Sequence, residues 1–391
     1  MEQEVFSIDD LCSKVTDGSH FSPENVTNGV YPMYSVKDMD YNGFKNSDYK
    51  TIDQSTYEKL CKSDCRPLKN DVLIAKDGSY LKHVFRVKED MNACILSSIA
   101  ILRPNIEKIN PDYFVYLLRS SSIKNSMANY VSGAALPRII LKAFKKMKIE
   151  LIKDRLYQDK IASILSTYDD LIEKNNRKIE ILQDMAEELY KEWFVRFRFP
   201  GYKTAKFTDG IPDGWEYERL GNLANISTGK CNREDAEEDG IYPLFDRSQE
   251  IKKSSSWLKD CEAIIVPGEG TSFIPRYYKG KFNLHQRCYC VEPKQDNIGF
   301  FLFQTLMMHR IYFLYVATGA TVPSLRQNNF TNFKVLMPNE DLYERYNSYS
   351  ASWHKEITML EQQNNNLKQQ RDLLLPRLMS GKLEVKVKQE V

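Results

Sequence analysis

The feature that most constrains this chain is a stripe of apolar residues running through residues 153–197. Stepping alternately by four and three from Ile161 meets Leu165, Tyr168, Ile172, Asn175, Ile179, Leu182, Ala186, Leu189 and Trp193, ten positions of which only Asn175 is strongly polar. A repeat of 3.5 residues sustained this long predicts one continuous helix with a narrow seam that a partner helix must cover. Asp169, Asp170, Glu173, Lys174 and Arg177 occupy the other faces, so burial all round is excluded. The chain supplies its own partner. Trp353, Ile357, Leu360, Asn364, Leu367, Leu374 and Leu378 keep the same spacing, interrupted at Arg371, and Ser380-Gly381 ends the pattern. Each stripe holds one Asn near its middle, a device that fixes the register of paired helices at some cost in stability.

The sequence also repeats itself. Ser132-Gly133-Ala134-Ala135-Leu136-Pro137 with Phe144 answers Thr318-Gly319-Ala320-Thr321-Val322-Pro323 with Phe330 at an offset of 186, and Leu156-Tyr157 meets Leu342-Tyr343 at the same offset. Upstream, Gly29-Val30-Tyr31-Pro32 matches Gly240-Ile241-Tyr242-Pro243, and Val72-Leu73-Ile74-Ala75 before Gly78 matches Ala263-Ile264-Ile265-Val266 before Gly270. Self-similarity on this scale means two copies of one structural unit. The order is globule, helix, globule, helix. Short β-branched and aromatic runs at 72–75, 95–102, 263–266 and 287–291 read as strands, whereas 111–130 and 298–316 read as helices, so each globule is α+β. The chain divides into a first globule (1–152), a long helix (153–198), a linker (199–212), a second globule (213–340), and a second long helix with its tail (341–391). Residues 80–95 and 230–260 match least between the halves, as loops with separate specificities would.

Composition narrows the class of protein. A chain of 391 residues carries enough sequence for two or three domains with their own cores. The first ten residues, MEQEVFSIDD, have no basic segment followed by an apolar one, and the apolar run from Ile298 to Ala317 is broken by Gln304, His309 and Arg310. Neither an export signal nor a membrane span is expected, and the expected location is the cytoplasm. Eight cysteines in that setting are expected as reduced thiols. A net charge of +2 is neutral on nucleic acid, which needs a local basic patch and not a basic average.

Several stretches resemble the specificity subunit of type I restriction-modification enzymes. Ile211-Pro212-Asp213-Gly214-Trp215, followed by Leu220-Gly221-Asn222-Leu223-Ala224 and Ser227-Thr228-Gly229-Lys230, is similar to that family's entry into a target recognition domain. Gln158-Asp159-Lys160-Ile161-Ala162-Ser163-Ile164-Leu165-Ser166 and Asp169-Asp170-Leu171-Ile172-Glu173 resemble its central conserved helix, and Leu373-Leu374-Leu375-Pro376-Arg377-Leu378-Met379-Ser380-Gly381-Lys382-Leu383 its C-terminus. The resemblance implies two tandem target recognition domains separated by two long helices that form an antiparallel coiled coil with a pseudo-twofold repeat. Each domain would read one half of a bipartite, asymmetric double-stranded DNA target. The helix pair would set the spacing; a helix of about 40 residues is roughly 60 Å long, more than one turn of B-DNA. The resemblance further implies two methyltransferase (modification) subunits using S-adenosylmethionine on adenine N6, and two ATP- and Mg-dependent restriction subunits. This chain would bind no cofactor itself.

For DNA contact, the first globule offers Ser19 and His20, Lys76, Ser79, Tyr80 and Lys82 on turns that glycine permits, and the basic run containing Arg138, Lys142 and Lys145. The second offers Lys230, Asn232, Arg233, Arg247, Lys252, Lys253, Thr271, Ser272, Arg276 and Arg326. For each of these a solvated surface role stands beside the DNA role. Catalytic readings are weaker. Gly229-Lys230 lacks the leading Gly and the following Ser or Thr of a phosphate loop, and Asp213, Glu250 and Lys252 only imitate a nuclease arrangement. Methylation-only specificity is an alternative within the family, and a coiled-coil adaptor without a DNA role is an alternative outside it. No metal is expected: Cys61 and Cys65, and His285, Cys288 and Cys290, lack the paired knuckles of structural zinc. Trp193 and Phe194 suit either an exposed anchor for a partner or packing against Phe199-Pro200. Tyr113-Phe114 and Phe300-Phe301 read as core.

Overall fold

A computed structural model of the chain describes residues 2–45, 49–78, 82–132, 138–319 and 321–386. They form two compact units, one from the described residues of 1–175 and 362–391, the other from 176–361. Ser79 and Tyr80, together with residues 133–137 and Ala320 of the repeated loop, lie outside the described residues. Among the described residues no helix is long and apolar enough to cross a membrane.

In the first unit, strand Gln3–Ser7 pairs antiparallel with Lys148–Ile152, with Ser7 opposite Lys148. A four-stranded sheet follows in the order Cys12–Asp17, Ile99–Pro104, Val72–Ala75, Val84–Arg86. Val72–Ala75 is buried at every residue, which is why it reads as an unbroken apolar run and not as an alternation. A three-stranded sheet places Tyr31–Tyr34 between Lys50–Ile52 and Cys94–Ile95. The single strand expected over 95–102 is two, because Leu96 N–H donates to the Tyr34 carbonyl and Ser97 N–H to the Ser19 carbonyl, each at 2.8 Å. The helix expected over 111–130 is likewise two, Pro111–Arg119 and Ser121–Met127. Ser120 between them is extended, and its hydroxyl donates to the Leu117 carbonyl at 2.6 Å.

The long helix Arg155–Tyr190 begins inside this core. Ile161, Ala162 and Leu165 pack with Tyr113, Phe114 and Ile149, and Leu378 and Met379 from the end of helix Glu340–Met379 join the same cluster. Each buried Ile, Leu, Phe or Met among them contributes about 1.5–3 kcal/mol, so apolar packing holds the helix roots to the globule. The pairing of the two helices here is antiparallel, since Asn175 donates to Asn364 Oδ1 at 2.9 Å while the earlier Asp169 meets the later Arg371. Arg371 does not interrupt the stripe. It is buried in the seam opposite Asp169, which also accepts from the Tyr116 hydroxyl at 2.7 Å and from Arg119 at 3.2 Å. The Tyr41 ring lies against both guanidinium groups, at 3.8 Å from Arg119 and 4.4 Å from Arg371. Burial and the neighbouring Asp169 carboxylate push the Tyr116 hydroxyl well above its ordinary pKa, so it stays protonated as a donor.

The second unit is built on the same plan. Glu216–Arg219 pairs antiparallel with Lys334–Met337, Arg219 opposite Lys334, which is the register of the first unit displaced by 212 residues on one strand and 186 on the other. Its six-stranded sheet runs Ala224–Thr228, Cys288–Pro293, Lys259–Pro267, Arg276–Leu284, Tyr242–Phe245, Lys252–Ser254. Tyr242–Phe245 lies parallel to Arg276–Leu284, as Tyr31–Tyr34 does to Cys94–Ile95. Helices Gly299–Met308 and Arg310–Val316 replace the single one expected over 298–316, divided at His309, whose Nδ1 donates to the Thr305 carbonyl at 2.8 Å. Here Asn347 Oδ1 accepts from Phe300 and Phe301 N–H at 2.9 and 3.2 Å, satisfying the otherwise open first turn of Gly299–Met308. The polar triplet Tyr346-Asn347-Ser348 thus sits within the second long helix with work for its side chains, and Tyr346 donates to the Ala186 carbonyl at 3.0 Å.

All seventeen seam residues singled out above are withdrawn from solvent at least in part. Ile161, Leu165, Ile172, Leu182, Trp193, Ile357, Asn364 and Leu378 are buried, and Tyr168, Asn175, Ile179, Ala186, Leu189, Trp353, Leu360, Leu367 and Leu374 are half-buried. Beyond Tyr190 the first helix widens into a π turn over Lys191–Val195, where Trp193 and Phe194 are buried with Phe199 and Trp215. That settles their role as packing and not as an exposed anchor. Tyr113, Phe114, Phe300 and Phe301 are core residues.

Candidate nucleic-acid interface

The first candidate surface is assembled from four chain segments of one globule. At the end of Cys12–Asp17, a Cβ on Gly18 would fall far inside contact with the Ile95 carbonyl, so only glycine lets the 17–20 turn approach that strand. Ser19 N–H donates to the Ile95 carbonyl at 2.9 Å, and residues 76–77 reach the same place through Lys76 N–H on the Ser98 carbonyl at 2.9 Å. Ile139 N–H donates to the Lys76 carbonyl at 3.0 Å, which brings in Arg138. Two residues expected at DNA are engaged within the globule. Lys76 is buried and its ammonium is taken by the Asp17 carboxylate, and the Ser19 hydroxyl is engaged with Phe21 of its own turn. His20, Lys82, Arg138 and Lys142 are exposed and Lys145 is half-buried. His20 Nε2 lies 3.2 Å from Asp17, and Arg138 is held by Asp77.

The second surface uses equivalent segments. Gly229 approaches the Leu284 carbonyl as Gly18 approaches that of Ile95, which is the physical reason for the Gly229-Lys230 pair that hinted at a phosphate loop. Lys230, Arg233, Arg247, Lys253, Thr271, Ser272 and Arg326 are exposed, and exposed Asn232 accepts from Gln286 at 2.6 Å. Two more of the expected residues have partners within the globule. Lys252 is paired with buried Asp246 at 2.7 Å, and Arg276 is half-buried with its Nη2 on the carbonyls of Asp246 and Ser248 at 2.8 and 2.7 Å. Burial lowers the Arg276 pKa; burial also opposes ionisation of Asp246, but Lys252 and Ser248 outweigh it and hold that carboxyl down at about 2. Beside them Glu269 holds both Arg247, at 2.6 Å, and Arg287, at 3.0 Å. A cavity of about 230 Å³ adjoins, lined by Glu269, Gln286, Arg287, Tyr289, Arg326 and Gln327 among others.

Of the residues that imitate a nuclease arrangement, Asp213 accepts from Thr208 of the linker at 2.7 Å and Lys252 is committed to Asp246. All eight cysteines are free thiols. One group among the described residues could offer three metal ligands, Cys261, Cys290 and Glu292, within 4.8 Å of one another, although Lys259 already occupies Glu292 at 2.9 Å. The sequence reading missed it because Cys261 lies far in the chain from the other two.

The model of one protein family, described as the type I restriction modification DNA specificity domain, matches residues 1–183 and 212–342. The chain belongs to that family. This specificity-domain protein is 25% identical over 313 residues to the type I restriction enzyme MjaIX specificity subunit of Methanocaldococcus jannaschii, covering 70% of this chain and 69% of that one. It is 31% identical over 177 residues to the EcoDI specificity subunit of Escherichia coli, covering 44% of this chain and 39% of that one. Its fold is similar to the crystal structure of a type I restriction-modification S subunit from M. genitalium, with TM-score 0.61, 18% identity, and coverage of 99% and 97% of the two chains. Within the specificity-domain fold, the sequence placed Asp77 only as one of the donors and acceptors of the loop 76–82 and did not single out Glu269, Gln286, Arg287 or Gln327. A usable signal existed for two of them: Asp77 and Glu269 both stand directly before the repeated Gly78 and Gly270.

Proposed function

We propose that this chain is the DNA-reading subunit of a type I restriction-modification complex, with one globule for each half of a bipartite target. The observation that carries this reading is the repeat itself. Two globules share strand register and turn geometry, yet present different side chains at the matching exposed turns. Common architecture with divergent exposed loops is what two reading heads for unlike half-sites require. The helix pair sets the unread gap, and its two pseudo-equivalent surfaces dock two identical methyltransferase subunits. Catalysis resides in the partners: methyl transfer from S-adenosylmethionine in the modification subunits, and ATP- and Mg-dependent translocation and cleavage in two restriction subunits. This chain contributes binding, spacing and orientation.

The test is an exchange. Residues 213–340 are replaced by the corresponding globule of another specificity protein, and the chimaera is purified with the modification subunit. One half of the methylated motif should change while the other half and the gap stay as they were. A change in both halves, or in neither, would contradict the assignment of one half-site to each globule.

A further inference from the structure

One detail of the two surfaces recurs at the same place in the repeat. The central buried strands Val72–Ala75 and Lys259–Pro267 both run out into a carboxylate, Asp77 and Glu269. Each makes an isolated antiparallel bridge, Asp77 to Arg138 and Glu269 to Ser324, partners 186 residues apart, and each precedes a glycine with positive φ. Both carboxylates are sunk, with side chains 22% and 18% exposed. The arginines they hold are open to solvent: Arg138 is 61% exposed, Arg247 47% and Arg287 58%. Arg138 Nη2 donates to Asp77 Oδ2 at 2.9 Å with Nε 2.8 Å from Oδ1, while Glu269 takes Nη1 of Arg247 on one oxygen and Nη1 of Arg287 on the other.

Stability does not account for this arrangement, because exposed ion pairs contribute little. Nor does phosphate binding, since a carboxylate at the root of a guanidinium reduces the local positive potential that draws in a phosphate. What the carboxylate does is anchor a five-donor fork: Asp77 holds Arg138 at two points, which fixes its plane, and Glu269 holds Arg247 and Arg287 each through Nη1, leaving the other N–H groups of these solvent-open side chains to a ligand. The backbone is held as well. Arg287 N–H donates to Nδ1 of buried His285 at 3.0 Å, and its carbonyl accepts from Gly268 N–H at 2.8 Å. A rigid, outward guanidinium with two parallel donors matches O6 and N7 of guanine on the major-groove edge.

We infer that Asp77 and Glu269 are positioning residues that aim Arg138 in the first globule, and Arg247 and Arg287 in the second, at guanines, so that each half-site contains a G·C pair read by a carboxylate-held arginine. The inference rests on the reading of this chain as a DNA specificity subunit. The test uses the full chain in complex with its modification subunit, first mapping methylated adenines to obtain the motif. Arg138→Ala should abolish the requirement for one G·C pair in one half-site, losing about tenfold to a hundredfold in discrimination there, and leave the other half unchanged. Arg287→Ala or Arg247→Ala should do the same in the other half. Asp77→Asn and Glu269→Gln should relax the same positions to a smaller extent. Duplexes with 7-deazaguanine at those positions, lacking N7, should bind wild type several-fold more weakly and bind the matching arginine variant no more weakly than unmodified DNA.

Two results would overturn the inference. One is arginine variants that weaken every duplex alike with the motif intact, which is the behaviour of phosphate contacts. The other is wild-type binding unmoved by deazaguanine at any position of either half-site, a result that does not depend on how the variants fold. Absence of any split motif for wild type would instead remove the underlying reading.

Discussion

Asp169 joins three side chains of the first unit, accepting from Tyr116, Arg119 and Arg371 in a buried site. Replacing it with Ala leaves the buried Arg119 guanidinium without its carboxylate and Arg371 with only the exposed Asp372, and breaking a buried pair in this way typically costs about 3–5 kcal/mol. Denaturant unfolding of Asp169→Ala should shift the transition of the first unit by that amount and leave the second unit's transition in place; an unshifted first transition would show the network to be dispensable. Arg371 also marks what the sequence conceals at this scale. Its spacing put it in the seam, but its charge read as an interruption, since the matching Asp169 lies 202 residues away. The same holds for the carboxylate-held arginines, where Asp77 and Arg138 are 61 residues apart. A lysine such as Lys76 reads as available for DNA until its partner Asp17 is seen, 59 residues distant.

At the scale of elements, the two long helices were legible because a seam is a local pattern, repeated every three or four residues, and the chain obeys it. The globules' shorter elements were legible in type but not in number. Ser120 and His309 each end a helix that periodicity alone would continue, through hydrogen bonds that apolar patterning does not register. Within the seam, Asn175 Nδ2 donates to Asn364 Oδ1 and also lies 3.1 Å from Gln363 Oε1. Asn364→Leu should destabilise the helix pair by about 1–3 kcal/mol, because it leaves the half-buried Asn175 amide without this acceptor. Leu at both positions should restore stability to wild type or above while loosening register, as expected of a seam Asn. Thermal unfolding of the single and double variants checks the sign: a double variant less stable than the single would contradict this account of the pair.

At the scale of the molecule, the repeat was the most legible feature of all, because duplicated strand register leaves its trace in glycine and proline positions such as Gly29 with Gly240 and Pro32 with Pro243. The identity of the reading residues was not legible, since they sit on the turns where the halves differ. The central claim is that two reading heads recognise two half-sites across a gap set by the helix pair. Its most direct test is to co-express the chain with its modification subunit in a host lacking adenine methylation and map modified adenines genome-wide, for wild type and for a variant with four residues inserted within 165–190. The account predicts a split motif with a fixed unread gap for wild type, and the same half-sites with an altered gap for the variant. A continuous motif, or an unchanged gap in the variant, would contradict it.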